Sequence, residues 1–120
     1  AGQPAPPAAQ VGLLTSPWFR AFVAYDPAPT LRRLRIPVLA LLGAKDAQVV
    51  ATQNEPALRD ALAGDRRAEV TVLPGLNHLF QTANTGAPSE YSQIEETISP
   101  VALAAMGDWL TATLHPQRGH

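Results

Sequence analysis

The sequence predicts an α/β fold: a small parallel sheet with flanking helices. Three observations carry this. Arg35 to Gly43 (RIPVLALLG) is an apolar stretch opened by a proline and closed by a glycine, the pattern of a short strand buried on both faces. Glu69 to Leu73 (EVTVL), stopped by Pro74-Gly75, is a second such strand. Between them Ala57, Leu58, Ala61 and Leu62 share one helical face, so strand, helix and strand form a unit of the size of a right-handed crossover.

Taken in chain order, Ala1 to Gln10 holds only Ala, Pro, Gln and Gly, with no large apolar side chain to offset the entropy of ordering a backbone, and reads as a flexible lead-in. Ser16-Pro17 is a helix start, because the hydroxyl can cap and the proline sits where no amide hydrogen is needed. Trp18, Phe22 and Tyr25 then recur at helical spacing and suit core packing. Asp26-Pro27-Ala28-Pro29 ends that helix, and Leu31 to Leu34 adds one turn. Asn54-Glu55-Pro56 opens the crossover helix, and Gly64 is placed to stop it. The segment from Gln81 to Ile98 is long, polar and broken by Gly86 and Pro88, the kind of loop that is usually functional or mobile. Ser99-Pro100 starts a last helix whose Leu103, Met106, Leu110 and Leu114, with Trp109 beside them, should cover one face of the sheet.

Composition narrows the function classes. A 120-residue chain can bury roughly 65–70% of its unfolded surface, so one small core is available. Nine basic and ten acidic residues leave a net charge of −1, which gives no electrostatic pull toward nucleic acid or an acidic membrane. The absence of cysteine removes disulfide, thiolate-metal and thiol-nucleophile chemistry. No apolar run approaches the roughly 20 residues of a membrane span, and no signal peptide is visible; compartment stays open beyond a soluble chain.

In open α/β sheets, ligands gather outside the carboxyl ends of the strands. Asp46 follows the first strand in Gly43-Ala44-Lys45-Asp46, and His78 follows the second in Pro74-Gly75-Leu76-Asn77-His78. Such a layout can set a carboxylate beside an imidazole, fixing its tautomer and stabilising the imidazolium that forms when histidine acts as a base. Taken singly, Asp46 also fits a plain turn residue and His78 a satisfied loop histidine. Asn77 fits a residue that holds the turn. Lys45, the chain's one lysine, reads as surface, and Glu90, Glu95 and Glu96 as a solvated face or helix-start charges, or else as contacts to a substrate. His115 and His120 lack metal-ligand spacing with His78, so no metal and no cofactor is expected.

The segments LALLGAKDAQV, LPGLNHLFQTANTG and PSEYSQIEETISP together resemble the C-terminal part of α/β-hydrolase fold serine hydrolases, of the esterase and serine-peptidase-like kind. The resemblance runs from about Ser16 to Leu114. It implies a Ser-His-Asp mechanism in which Asp46 is the acid and His78 the base, acting on a small ester or peptide substrate. It divides the chain into a flexible arm (1–12), a partial α/β-hydrolase domain (13–114) and a frayed tail (115–120).

The nucleophile elbow of that family, G-x-S-x-G, is absent. Of the four serines, Ser16 and Ser99 each precede a proline, which has no amide hydrogen to offer an oxyanion, while Ser89 and Ser92 follow His78 and lack the small flanking residues. The first strands and the oxyanion loop have no counterpart either. The expectation is therefore a C-terminal acid and histidine part, inactive alone, that pairs with a missing N-terminal portion or forms a homo-oligomer. A non-catalytic α/β interaction module that self-associates through an exposed sheet edge is the alternative.

Overall fold

A computed structural model of the chain describes residues 8–115. Two strands, β1 (Val38–Gly43) and β2 (Ala68–Leu73), pair in parallel from Val38↔Ala68 to Gly43↔Leu73. The chain is thus α/β with a small parallel sheet, as the apolar runs predict. Five α-helices surround it among the described residues: α1 (Ala8–Leu14), α2 (Pro17–Ala24), α3 (Ala28–Leu31), α4 (Ala51–Leu62) and α5 (Pro100–Leu114), with one 3-10 helix at Pro88–Gln93.

Side chains alternate across the strands and divide the core in two. On one face Leu42 and Val70 are buried with Ala51, Ala61 and Leu62 of α4. On the other, Leu73, Leu76 and Ala102 form a cluster against which Leu41, Phe80, Ile98, Ala105 and Met106 pack. Helix α4 therefore lies on one side of the sheet and the start of α5 on the other. Toward its C-terminal end α5 leaves a gap of about 340 Å³ over Leu39, Leu41, Glu69 and Thr71.

Several expectations are corrected. Residues 8–12 lie in or lead into α1 rather than in an unstructured arm, since Ala8–Leu14 forms nearly two helical turns. The rest of the arm, and the tail beyond His115, lie outside the described residues. The extra turn expected at Leu31 to Leu34 comes earlier, at α3, because the Asp26 carboxylate accepts the Ala28 N–H (2.9 Å) and starts it there. Helix α4 begins at Ala51, and Pro56 sits inside it rather than at its first position. Strand β1 is only half-buried over Val38 to Leu41, because a two-stranded sheet leaves one of its edges unpaired.

Two apolar stripes point elsewhere than expected. Trp18 and Phe22 are each 65% exposed, and Tyr25 nearly as much, so the aromatic residues of α2 do not enter the core. Trp18 and Phe22 stack on each other instead, with centroids 5.6 Å apart and planes within 9°. In α5 the face turned inward carries Ala102, Ala105, Met106 and Trp109, whereas Leu103, Leu110 and Leu114 are exposed. Only the start of α5 joins the core, through Ala102 against Leu73 and Leu76, and the leucine stripe flanks that face.

Gly43 carries the close packing at the end of β1: a Cβ there would lie 2.5 Å from the Leu76 carbonyl oxygen and 2.6 Å from that of Asn77. Gly107, within α5, has no atom within 4 Å of its Cβ position. Gly43→Ala is therefore expected to cost about 1–3 kcal/mol in urea unfolding through overpacking, whereas Gly107→Ala should stabilise by roughly 0.5–1 kcal/mol through helix propensity. Equal stability of Gly43→Ala and wild type would contradict this packing.

Candidate functional site

The two strands end in register, so the segments that follow leave the sheet side by side. Ala44 N–H bonds the Leu73 carbonyl and Lys45 N–H the Leu76 carbonyl, both at 2.9 Å, extending the parallel ladder past the last strand residues. The Asp46 N–H then turns back onto the Gly43 carbonyl (3.1 Å). On the other side Gly75, at φ +77°, bends the chain out of β2, and Leu76 pairs with Thr82 to close a short loop. His78 stands near the tip of that loop.

Asn77 holds the loop from within and is fully buried. Its Oδ1 accepts the N–H groups of Leu79 (3.0 Å) and Gln81 (2.9 Å), and its Nδ2 donates to Gln81 Oε1 (3.0 Å). Gln81 Nε2 in turn donates to the Glu96 carbonyl (2.9 Å), which ties the loop to the segment before α5. The reading of Asn77 as a turn-holding residue agrees with these bonds. Gln81 is a positioning residue that the sequence did not single out.

Asp46 and His78 meet. Asp46 Oδ2 lies 2.9 Å from His78 Nδ1, while Asp46 Oδ1 accepts the Gln48 and Val49 N–H groups, each at 2.8 Å. The aspartate side chain is only 7% exposed and the imidazole 37%. Burial pushes the Asp46 carboxyl up. The Val49 N–H, the His78 ring and the Gln48 N–H outweigh it, so the pKa lies below the ordinary 3.8. An ionised carboxylate only accepts, so the hydrogen lies on Nδ1, and in the neutral form of the ring the lone pair lies on Nε2. Among the described residues Nε2 has no hydrogen-bond partner. The arrangement is an oriented base, able to take a proton at Nε2 while the carboxylate stabilises the resulting cation.

No serine completes it. Ser16 caps α2 by accepting the Phe19 N–H (3.2 Å), and the buried Ser99 caps α5 by accepting the Val101 N–H (3.3 Å). Ser89 and Ser92 lie on the 3-10 helix. Among the described residues no group of three His, Asp or Glu side chains could hold a metal ion, and no helix is long and apolar enough to cross a membrane.

The long segment after His78 is anchored rather than loose. Glu90 accepts the N–H groups of Asn84 (2.5 Å), Thr85 (2.9 Å) and Gly86 (2.9 Å) and the Thr85 hydroxyl (2.5 Å). The Thr85 hydroxyl first, and then the Asn84 and Thr85 N–H groups, lower its pKa to about 2. Glu96 accepts the Thr82 N–H. Glu90 is in the first turn of the 3-10 helix, as the helix-start reading has it, and both side chains are tied to backbone N–H groups rather than merely solvated. Lys45 is at the surface, as expected, but its ammonium is engaged with the carbonyls of Ala83 and Asn84. His115 closes the last turn of α5 through its N–H to Thr111 (2.9 Å).

Comparison of the chain with known protein families, with curated proteins and with solved structures gave no match.

The depressed Asp46 pKa has a consequence for stability. A group whose folded pKa lies below its unfolded value stabilises the fold above the unfolded pKa, and that contribution is lost as pH falls through the folded one. The deficit of Asp46→Asn relative to wild type, measured by urea unfolding, should therefore be full at neutral pH and shrink as pH drops below the ordinary 3.8. A deficit that does not change with pH would contradict the ionised, hydrogen-bonded carboxylate.

Proposed function

We propose that the chain supplies the acid and the base of an α/β-hydrolase-type serine hydrolase that cleaves esters or amides. Nucleophile and oxyanion hole are contributed from outside these 120 residues. The observation that carries this reading is the 2.9 Å contact of Asp46 Oδ2 with His78 Nδ1 at the carboxyl ends of adjacent parallel strands, with Nε2 left open. Sequence resemblance around the same two residues supports it.

In the complete site a serine hydroxyl attacks the substrate carbonyl and gives its proton to His78 Nε2. Asp46 orients the ring and stabilises the imidazolium. The proton passes from Nε2 to the leaving alcohol or amine as the tetrahedral intermediate collapses, and a water then releases the acyl group by the same path. Backbone N–H groups outside this chain hold the oxyanion. Without hydroxyl and oxyanion hole the chain alone is inactive by this route.

A second reading, a non-catalytic module that self-associates, is favoured by the apolar surface of α2 and α5, where Trp18, Phe22, Leu103, Leu110 and Leu114 are all exposed, and by a sheet whose outer edges are unpaired among the described residues. Both readings predict association: with the nucleophile-bearing portion in the first, with copies of itself in the second. Light scattering is expected to give the chain a mass above that of a monomer, and a monodisperse monomer would sink the self-association reading.

Fluorophosphonate labelling tests the first reading. The 120-residue chain is expected to form no adduct, and an adduct mapped to Ser89 or Ser92 would overturn the placement of the nucleophile elsewhere. The product of the full coding region should take the label at a G-x-S-x-G serine ahead of Asp46. There His78→Ala should slow acylation by about 10⁴-fold or more and Asp46→Asn by about 10³–10⁴-fold. No labelled serine, or labelling indifferent to both substitutions, would refute the hydrolase assignment.

A further inference from the structure

Lys45 stands where three segments meet. Its backbone N–H donates to the Leu76 carbonyl, just ahead of Asn77 and His78. Its own carbonyl packs so tightly against Gly86 that a Cβ on that glycine would come within 1.8 Å of the oxygen; Gly86 also sits at φ +80°, where a side chain is strained. Its ammonium crosses to the segment beyond His78 and donates to the carbonyls of Ala83 (2.7 Å) and Asn84 (2.9 Å).

The same short segment is gripped from its other side. Glu90 takes the N–H groups of Asn84, Thr85 and Gly86, so the carbonyls at the start of the segment face a cation and the N–H groups that follow face an anion. Charge-assisted bonds of this kind are stronger than neutral ones, and each charge meets the matching end of the peptide dipoles. The 3-10 helix that carries Glu90 returns to the acid turn through Tyr91, whose hydroxyl accepts a hydrogen bond from Gln48 Nε2 (2.9 Å). Gln48 also gives its backbone N–H to Asp46 Oδ1. The path Lys45, residues 83–86, Glu90, Tyr91, Gln48 and Asp46 is thus a closed ring of hydrogen bonds and covalent chain around the carboxylate.

We propose that Lys45 and Glu90 are positioning residues for the Asp46–His78 pair: together they clamp residues 83–86 onto the acid turn and keep Asp46 Oδ2 seated on His78 Nδ1. Neither is hydrogen-bonded to the imidazole, so their effect runs through the turn. The inference deepens the proposed hydrolase site and rests on its acid and base being paired.

Solvent exchange of the His78 Nδ1 proton, followed by NMR on the 120-residue chain, tests it without needing a nucleophile. Lys45→Met is expected to speed that exchange by about tenfold while the amides of β1 and β2 keep their protection. Lys45→Arg should recover much of the wild-type rate, since a guanidinium can serve two carbonyls. Glu90→Gln, which weakens the clamp from its far side, should accelerate exchange as well and decides the matter if Lys45→Met fails to fold. Unchanged Nδ1 exchange in the folded variants overturns the proposal, and so does an equal loss of protection throughout the sheet, which would mark a plain stability role. Absence of a labelled serine in the full gene product would remove the hydrolase reading and leave this result standing, so the two failures are distinguishable.

Discussion

Everything at the candidate site depends on how closely two backbones can run once they leave the sheet. Parallel pairing puts Gly43 opposite Leu73, and the absence of a side chain at Gly43 lets the carbonyls of Leu76 and Asn77 occupy the space that a Cβ would need. The Lys45 N–H then bonds the Leu76 carbonyl, which brings the turn carrying the acid against the loop carrying the base. A residue with a Cβ at position 43 would separate the two segments by more than a hydrogen bond can tolerate, and an aspartate and an imidazole held apart by water are no longer one chemical unit.

Within that frame the electrostatics are consistent. A carboxylate that is almost fully buried is expensive unless its lone pairs are used, and Asp46 uses both oxygens, one on two backbone N–H groups and one on the ring. The imidazole, by contrast, is 37% exposed, and the hydrogen bond to Asp46 uses Nδ1 alone of its two nitrogens. Asn77, buried completely and bonded on its oxygen and its nitrogen, fixes the loop that carries the ring. Preorganisation of this kind is what distinguishes an oriented base from a free imidazole.

Strands β1 and β2, the starts of α2 and α5, and the placement of Asp46 and His78 just past the strand ends were legible from the residues, because each depends on a local signal: an apolar run, a Ser-Pro cap, or a polar residue just past a strand end. What the sequence misplaced depends on tertiary context. Helix α5 is apolar nearly all round, so periodicity could not say that Ala102, Ala105 and Met106 face inward while Leu103, Leu110 and Leu114 flank them. The aromatic spacing of α2 announced a helix correctly but not its neighbour; among the described residues nothing buries Trp18 or Phe22. Pro56 looked like a helix start, yet α4 begins earlier without a side-chain cap. The clamping contacts of Lys45 and Glu90 left no pattern in the sequence, since their partners are the backbone of residues 83–86 and the Thr85 hydroxyl, which only the fold brings near.

The central claim is that Asp46 and His78 act on each other. A double-mutant cycle measures this most directly: Asp46→Asn, His78→Gln and the pair together, each unfolded in urea at neutral pH. The account predicts a coupling of about 1 kcal/mol or more, as expected for a hydrogen-bonded pair with a buried ionised partner. Additivity to within about 0.3 kcal/mol would show two residues that merely lie near each other, and would contradict it.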